Sequence, residues 1–274
     1  MRLSARGVSK GQTLPEATVH ARSGSVTVVP VEGSRRPGVL GLILSGRMTP
    51  DTGEVTIDGE PDSRAVRRTV ALVDAPDISA PADDLALPVV LREELVFAGI
   101  RGTRAAVRRM LADEGLAAYR ATSMGDLPAD VRVRVLTETA TRRRGVEAVV
   151  IVSPDRHGGD PRGWYDVARG WADRGLAVVV LAGGAAVEAL GALAPGGIDG
   201  HGQVHEEIRP PGLAADDATA PLPAAPPVSV VHVETRRETR RADASRHRRT
   251  ERPQQAEPHE PQAASVDDVE ETER

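Results

Sequence analysis

GSVTVVPVEGSRRPGVLGLILSGRMTPDTGEVTIDG, residues 24–59, is the stretch whose reading decides the fold. Val26–Val29 is a short β-branched run suited to a strand buried on both faces. A loop through Gly33 follows, and Pro37 sits where a helix can begin, because proline fits the first helical turn. Val39–Leu44 supplies the apolar face of that helix and Gly46 closes it. Pro50-Asp51-Thr52-Gly53 reads as a turn, and Glu54–Ile57 as a strand ending at Asp58-Gly59. The outline is a strand, a glycine-containing loop and a helix, the arrangement that cradles phosphate on backbone N–H groups.

Outward from this stretch, strand and helix periods alternate over the first 200 or so residues. Arg2–Val8 and Ala17–Ala21 alternate polar and apolar residues as antiparallel strands near an edge. Val70–Val73, Val149–Val152 and Val178–Leu181 are further buried-strand runs. Leu91–Ala98, Ala105–Ala112, Pro128–Arg142 and Pro161–Arg174 read as helices, and Asp74–Pro88 as a proline- and aspartate-rich loop. This order predicts an α/β fold with a parallel sheet core, an antiparallel β edge and a helical subdomain over about 75–130. Leu176–Ala194 is nearly all apolar and about the ~20 residues a membrane span needs. Gly183-Gly184 and Glu188 interrupt it, so it reads as strand, turn and helix.

Composition narrows the function classes. The chain has 274 residues, a net charge of −5 and only 2% aromatic residues, so its core rests on small and branched side chains. Lys10 is the only lysine. The charge gives no overall attraction to nucleic acid, and no nucleic-acid partner is expected. With no cysteine, disulfides, thiolate metal sites and cysteine nucleophiles are excluded. Met1–Arg6 lacks the apolar centre of a signal peptide, which predicts a cytoplasmic protein. Past residue 208 the character changes: prolines cluster over 210–227, then RRETRRADASRHRRTER (236–252) and DDVEETER (267–274) follow. Residues 1–208 are therefore expected to form the domain, and 209–274 a largely disordered tail, helical in part over 228–252.

SGRMTPDTGEVTIDG (45–59) resembles, without a gap, the segment that follows the phosphate loop in the ATP-binding subunits of ATP-binding-cassette (ABC) transporters. Other resemblances follow in that family's order. Gly7–Lys10 and Gly24–Val26 match its opening strands, and VVLREEL (89–95) the start of its helical subdomain. LPADVRVRV (127–135) matches its signature loop and helix, VVIVSPDRHGGDP (149–161) its acidic strand and Gly-x-Asp-Pro loop, and GLAVVVLAGGAAVEAL (175–190) its switch strand. The resemblance implies a P-loop NTPase fold over most of residues 1–208. It implies ATP with Mg²⁺ as ligand, though no cofactor is thereby fixed, and an integral membrane transporter subunit as partner. A homodimer, or a heterodimer with an intact ABC ATPase, is implied as well, with peripheral placement at the inner face of the membrane.

The chemistry such a site requires is missing at several places. Pro37 stands at the lysine position and has neither charge nor N–H, and Gly38 stands where a hydroxyl would hold Mg²⁺. Ser153 and Pro154 replace the metal-binding Asp and water-polarising Glu. Pro128, Ala129 and Asp130 replace the signature serine and glycines, and Asp74 or Ala75 the glutamine. Gly183 or a neighbour replaces the switch histidine, and no aromatic lies near Gly11-Gln12 to stack on adenine. What remains is a vestigial phosphate loop, Gly33, Ser34, Arg35, Arg36 and Gly38, with Asp160 in a dimer-facing loop. Arg35 and Arg36 read either as substitutes for the lysine or as a solvated turn. Asp155 offers a carboxylate one register away from the metal position, and Lys10 a remote cation.

Three readings follow. The first is an ABC ATPase-like subunit, weakly active or inactive, that docks to a membrane partner. The second is a regulatory or interaction module on the same scaffold, outside transport. The third is an ATPase whose catalytic groups are Arg35, Arg36 and Asp155. Among weaker signals, His201 and His205 beside Glu206-Glu207 read as solvated surface. Trp164 and Trp171 share a helix face that packs on the sheet.

Overall fold

Residues 1–191, together with the two-residue strand Ser229–Val230, are described by the computed structural model of the chain. The chain divides into a unit Met1–Thr235 and a second unit, Arg236–Arg274, that lies outside the described residues. The expectations for His201 and His205, for the arginine run 236–252 and for disorder over 209–274 fall outside them too, Ser229–Val230 excepted.

β1 (Arg2–Lys10), β2 (Leu14–Arg22) and β4 (Thr52–Ile57) form an antiparallel sheet in the order β2-β1-β4. β3 (Ser25–Pro30), β5 (Val70–Val73), β6 (Ala148–Val152) and β7 (Ala177–Ala182) form a parallel sheet. With β8 (Ser229–Val230) at one edge its order is β5-β6-β7-β3-β8. Within the stretch read as partly helical, these two residues pair with Thr27 and Val28, in keeping with a β-branched run that suits a sheet edge.

Strand parity divides the core. Val149, Ile151, Val178 and Val180 face one cluster, with Trp164 of α6 (Pro161–Asp173) and the helices α3 (Leu87–Phe97), α4 (Arg104–Asp113) and α5 (Ala129–Thr141). Val150, Val152, Val179 and Leu181 face the other, with α1 (Arg36–Leu44) and the apolar side of β1 and β2. The parallel sheet is thus covered on both faces, which is why its strands read as continuous apolar runs rather than alternating ones. Gly41 sets how close α1 sits: a Cβ there would lie 3.0 Å from Leu72 Cδ1 and from Val152 Cγ2.

One difference from the sequence reading concerns a local signal. Ser63–Thr69 forms α2, a helix not anticipated; only Val66 on it is buried, so it shows almost no apolar stripe. Its start is marked by Asp62, whose carboxylate accepts the Arg64 and Ala65 N–H groups at 2.8 and 3.0 Å, a helix cap. The apolar stretch from Leu176 resolves into β7, Gly183 and α7 (Gly184–Gly191). No helix among the described residues is long and apolar enough to cross a membrane.

Candidate functional site

In parallel α/β sheets, ligand chemistry gathers at the carboxyl ends of the strands. Four strand ends meet here: Glu32 after β3, Asp74 after β5, Ser153–Asp155 after β6 and Gly183 after β7. The loop from Glu32 to Arg35 leads into α1, with Arg35 as its N-cap and Pro37 in its first turn. Pro37 and Gly38 are buried, while Gly33, Ser34 and Arg35 are exposed. A cleft of about 430 Å³ lies beside this loop, lined by Gln12, Thr13, Glu32 and Gly33 to Arg36. The loop after β1 therefore meets the phosphate-loop outline, and it brings an amide and a hydroxyl where an aromatic would stack on a base.

An apolar side chain approaches the backbone at Gly38. A Cβ built on Gly38 would lie 3.1 Å from Ile78 Cδ1, closer than ordinary van der Waals contact. Ile78, in the loop after β5, thus covers the first turn of α1.

Carboxylates take up the opposite wall. Glu32 Oε1 accepts the Gly184 N–H at 2.6 Å, and Asp155 Oδ2 accepts the Gly183 N–H at 3.2 Å. Both acids serve the N-terminus of α7, where a negative charge is favoured by the helix dipole. Asp155 Oδ1 is buried without a hydrogen-bond partner. Two carboxylates beside a would-be triphosphate add like charge to like charge. The groups at this end of the sheet do not fit Mg-ATP: the loop has no lysine, Pro37 has no N–H, Gly38 has no hydroxyl, and acids flank the loop.

The chain's best-developed polar cluster lies next to this loop. Asp74 ends β5 in a left-handed conformation, φ 52–58° being shared with Asp58 and Asp77 and its own value 55°. Its carboxylate is fully buried and receives Arg132 Nη2 at 3.2 Å, Arg156 Nη2 at 2.9 Å and His157 Nε2 at 2.9 Å. Arg132 is 1% exposed. Its Nε also donates to both Asp74 oxygens at 3.2 Å, its Nη1 to Asp83 Oδ1 and the Met124 carbonyl, and its Nη2 to the Pro81 carbonyl. Burial alone would raise the Asp74 pKa, but the His157 hydrogen bond and the charges of Arg156 and Arg132 hold it below the ordinary carboxylate value. The cluster ties the loop 74–83, the start of α5 and the turn after β6 into one piece.

Three of the solved structures to which the chain is similar illustrate the likeness. One is described as the ATP-binding subunit of an ABC transporter: 16% identity, 68% of this chain and 81% of that one, TM-score 0.48. Another, from Pyrococcus furiosus, is a putative ABC transporter ATP-binding protein at 14% identity, 67% and 92% coverage and TM-score 0.48. The third, cbiO1 from Clostridium perfringens, is part of the ABC transporter complex cbiONQ, at 14% identity, 66% and 77% coverage and TM-score 0.48. The likeness is one of backbone course. Neither a family profile nor any curated protein matches the sequence.

The remaining residues singled out in the sequence now have places. Arg35 and Arg36 do line the cleft. Lys10 does not reach it, because its Nζ is paired with Asp51 at 2.5 Å. Asp155 is engaged with α7 as described. Asp160 caps α6, accepting the Arg162 N–H at 3.0 Å, and is ion-paired with the Arg162 side chain. Trp164 is 1% exposed in the core, and Trp171 packs beside it with Arg174 stacked 4.4 Å from its ring.

Sequence reasoning passed over Arg132, Arg156 and His157. One signal was present for Arg132: it lies inside the apolar run of α5, between Val131 and Val133, both buried. An arginine on an inward helix face needs an acid, and the nearest strand end offers one.

Proposed function

We propose that this chain is an ABC ATPase-like subunit that works without nucleotide, serving as a docking component for a membrane transporter partner. The observation that carries the reading is the first turn of α1, where Gly38 has no hydroxyl to offer a metal and Ile78 Cδ1 lies 3.1 Å from where a Cβ would stand. The Asp74 cluster supports it from the other side, because it holds together three segments through the protein's own charges and calls for no ligand to order them.

The docking surface we assign to α3. Val89 is 42% exposed, Val96 61%, Phe97 78% and Ile100 37%. Val89 and Val96 are seven residues apart on one helix face; the chain's single phenylalanine is the last residue of α3, and Ile100 follows just beyond it. Arg92 and Glu93 stand between the two valines on the same side of the helix. Exposed apolar side chains grouped at the end of a helix, with charges among them, have the chemistry of a partner site. In the resembled family the helical subdomain is the part that meets the membrane subunit.

Membranes of the native host test this directly. The full chain is expected to sediment with them, and Phe97→Asp to be recovered at least about fivefold less, since an aromatic anchor commonly contributes over 1 kcal/mol. The exposed position leaves thermal stability unchanged. Equal sedimentation of both proteins, or none of either, would contradict the assignment.

A further inference from the structure

At the far end of α1 from the phosphate-loop outline, three arginines converge with no acid among them. Arg47 Nη1 donates to the Ser45 carbonyl at 3.0 Å and to the Val70 carbonyl at 3.2 Å. Arg143 Nη2 donates to the same Val70 carbonyl at 3.2 Å, and to those of Arg67 and Arg68 at 3.4 Å. Arg67 grips the Gly46 carbonyl through Nε and Nη2 at 3.2 and 3.0 Å. Two guanidiniums thus share one carbonyl, and the third holds the residue next to Ser45.

Among the described residues, no carboxylate is within ion-pair distance of any of the three. The acceptors are carbonyls at the ends of α1 and α2 and the start of β5. Each helix C-terminus supplies about half a negative charge, so the two offset about one of three positive charges. Burial pushes the Arg47 guanidinium below its ordinary pKa, as do the neighbouring Arg143 and Arg67 charges. Burial does the same to Arg143, whose Nε is buried without an acceptor. These charges are held together at a cost that no protein acid relieves.

A cleft of about 260 Å³ opens beside them, between the end of α1, β4 and α2. Arg47 and Arg67 form one side of it, the Thr49 and Ser63 hydroxyls add donors, and Ile43 and Val66 contribute an apolar floor. Glu54 stands at its exposed margin. The volume lies just below the roughly 300 Å³ at which small-ligand pockets begin, which limits the occupant to a small molecule.

We propose that this cleft binds a small organic anion, a phosphate or carboxylate group on a short apolar body, with Arg47 and Arg67 holding the charged end. The charged group takes up guanidinium N–H donors that have no protein acceptor, and its body covers the Ile43 and Val66 side. The assignment stands apart from the reading of the phosphate-loop end and does not rest on it.

Thermal unfolding of the full chain with inorganic phosphate, hexyl phosphate and hexanoate, at ionic strength matched with chloride, provides the test. Hexyl phosphate is expected to raise the melting temperature saturably by several degrees, at concentrations about tenfold below those inorganic phosphate needs. Arg47→Gln should weaken that response by about tenfold or more, as loss of a charge-assisted hydrogen bond does. Each response is read against the protein's own ligand-free melting temperature, because the variant exchanges the Ser45 and Val70 hydrogen bonds for relief of a repelled charge; a merely structural arginine would leave the ligand response unchanged. Hexanoate against hexyl phosphate distinguishes the two headgroups. Equal shifts with hexyl and inorganic phosphate would overturn the apolar part of the assignment. Shifts that do not saturate, or that persist in Arg47→Gln, would overturn it entirely.

Discussion

Asp74→Asn is expected to destabilise the fold by about 3–5 kcal/mol, the usual effect of breaking a buried charge pair from one side. The variant keeps the shape of the side chain and removes the charge. Arg132, 1% exposed, then keeps only Asp83, whose side chain is 74% exposed and largely solvated, and Arg156 loses its ion-pair partner. Urea denaturation measures the effect as a lower midpoint with an unchanged slope, because the area exposed on unfolding stays the same. The same carboxylate sets an acid limit. Its pKa is lower folded than unfolded, so its contribution is complete above the unfolded value of about 3.9 and is lost as pH falls through the lowered one. Wild-type stability should therefore drop below about pH 4, and Asp74→Asn should flatten that drop. A variant within about 0.5 kcal/mol of wild type would place it among ordinary surface substitutions and contradict the cluster's role.

Gly53→Ala is expected to be at least as damaging, for a steric reason. A Cβ on Gly53 would lie 2.2 Å from the Arg6 carbonyl oxygen and 2.5 Å from Gly7 C and O. All are backbone atoms of β1, so relief requires β1 and β4 to separate where their pairing is already irregular, between Arg6 and Ser9. The left-handed φ of 72° adds about 1–2 kcal/mol for any side chain. Separation would also break the Thr52 Oγ1 hydrogen bond to the Gly7 carbonyl, 2.9 Å long. Gly7→Ala supplies the contrast. It too has a left-handed φ, 58°, but its Cβ would meet only the flexible Glu16 carboxylate at 3.3 Å. Gly7→Ala should therefore lose only the conformational part, and Gly53→Ala should give little soluble, two-state protein. Comparable denaturation midpoints for the two would contradict the geometry.

The sequence was most legible where a segment's own period carries the answer. The runs at Val26, Val70, Val149 and Val178 are strands because a strand buried on both faces must be apolar at every position. α1 was legible from Pro37 and Gly46, which mark its two ends. α2 escaped because a helix with one buried residue has no stripe to read, although Asp62 signalled its start. The polar cluster was less accessible for another reason: Arg132 is 58 positions from Asp74 and His157 is 83, and no local period links them. The proline and glycine at the start of α1 could be read from the residues alone. That Ile78 is what covers Gly38 required the course of the loop after β5.

Millimolar Mg-ATP added to the purified full chain tests the central claim most directly, with melting temperature and phosphate release followed together. Measurement in both wild type and Arg47→Gln separates the phosphate-loop end from the arginine cleft at the other end of α1. A ligand at a hundred times its dissociation constant would stabilise the fold by about 2.7 kcal/mol, a shift of several degrees that is readily seen. With Ile78 over Gly38 and acids beside the loop, Arg47→Gln should show no saturable shift, and neither protein should release phosphate above the uncatalysed background. A saturable, magnesium-dependent rise in Arg47→Gln, or magnesium-dependent phosphate release by either protein, would contradict the account.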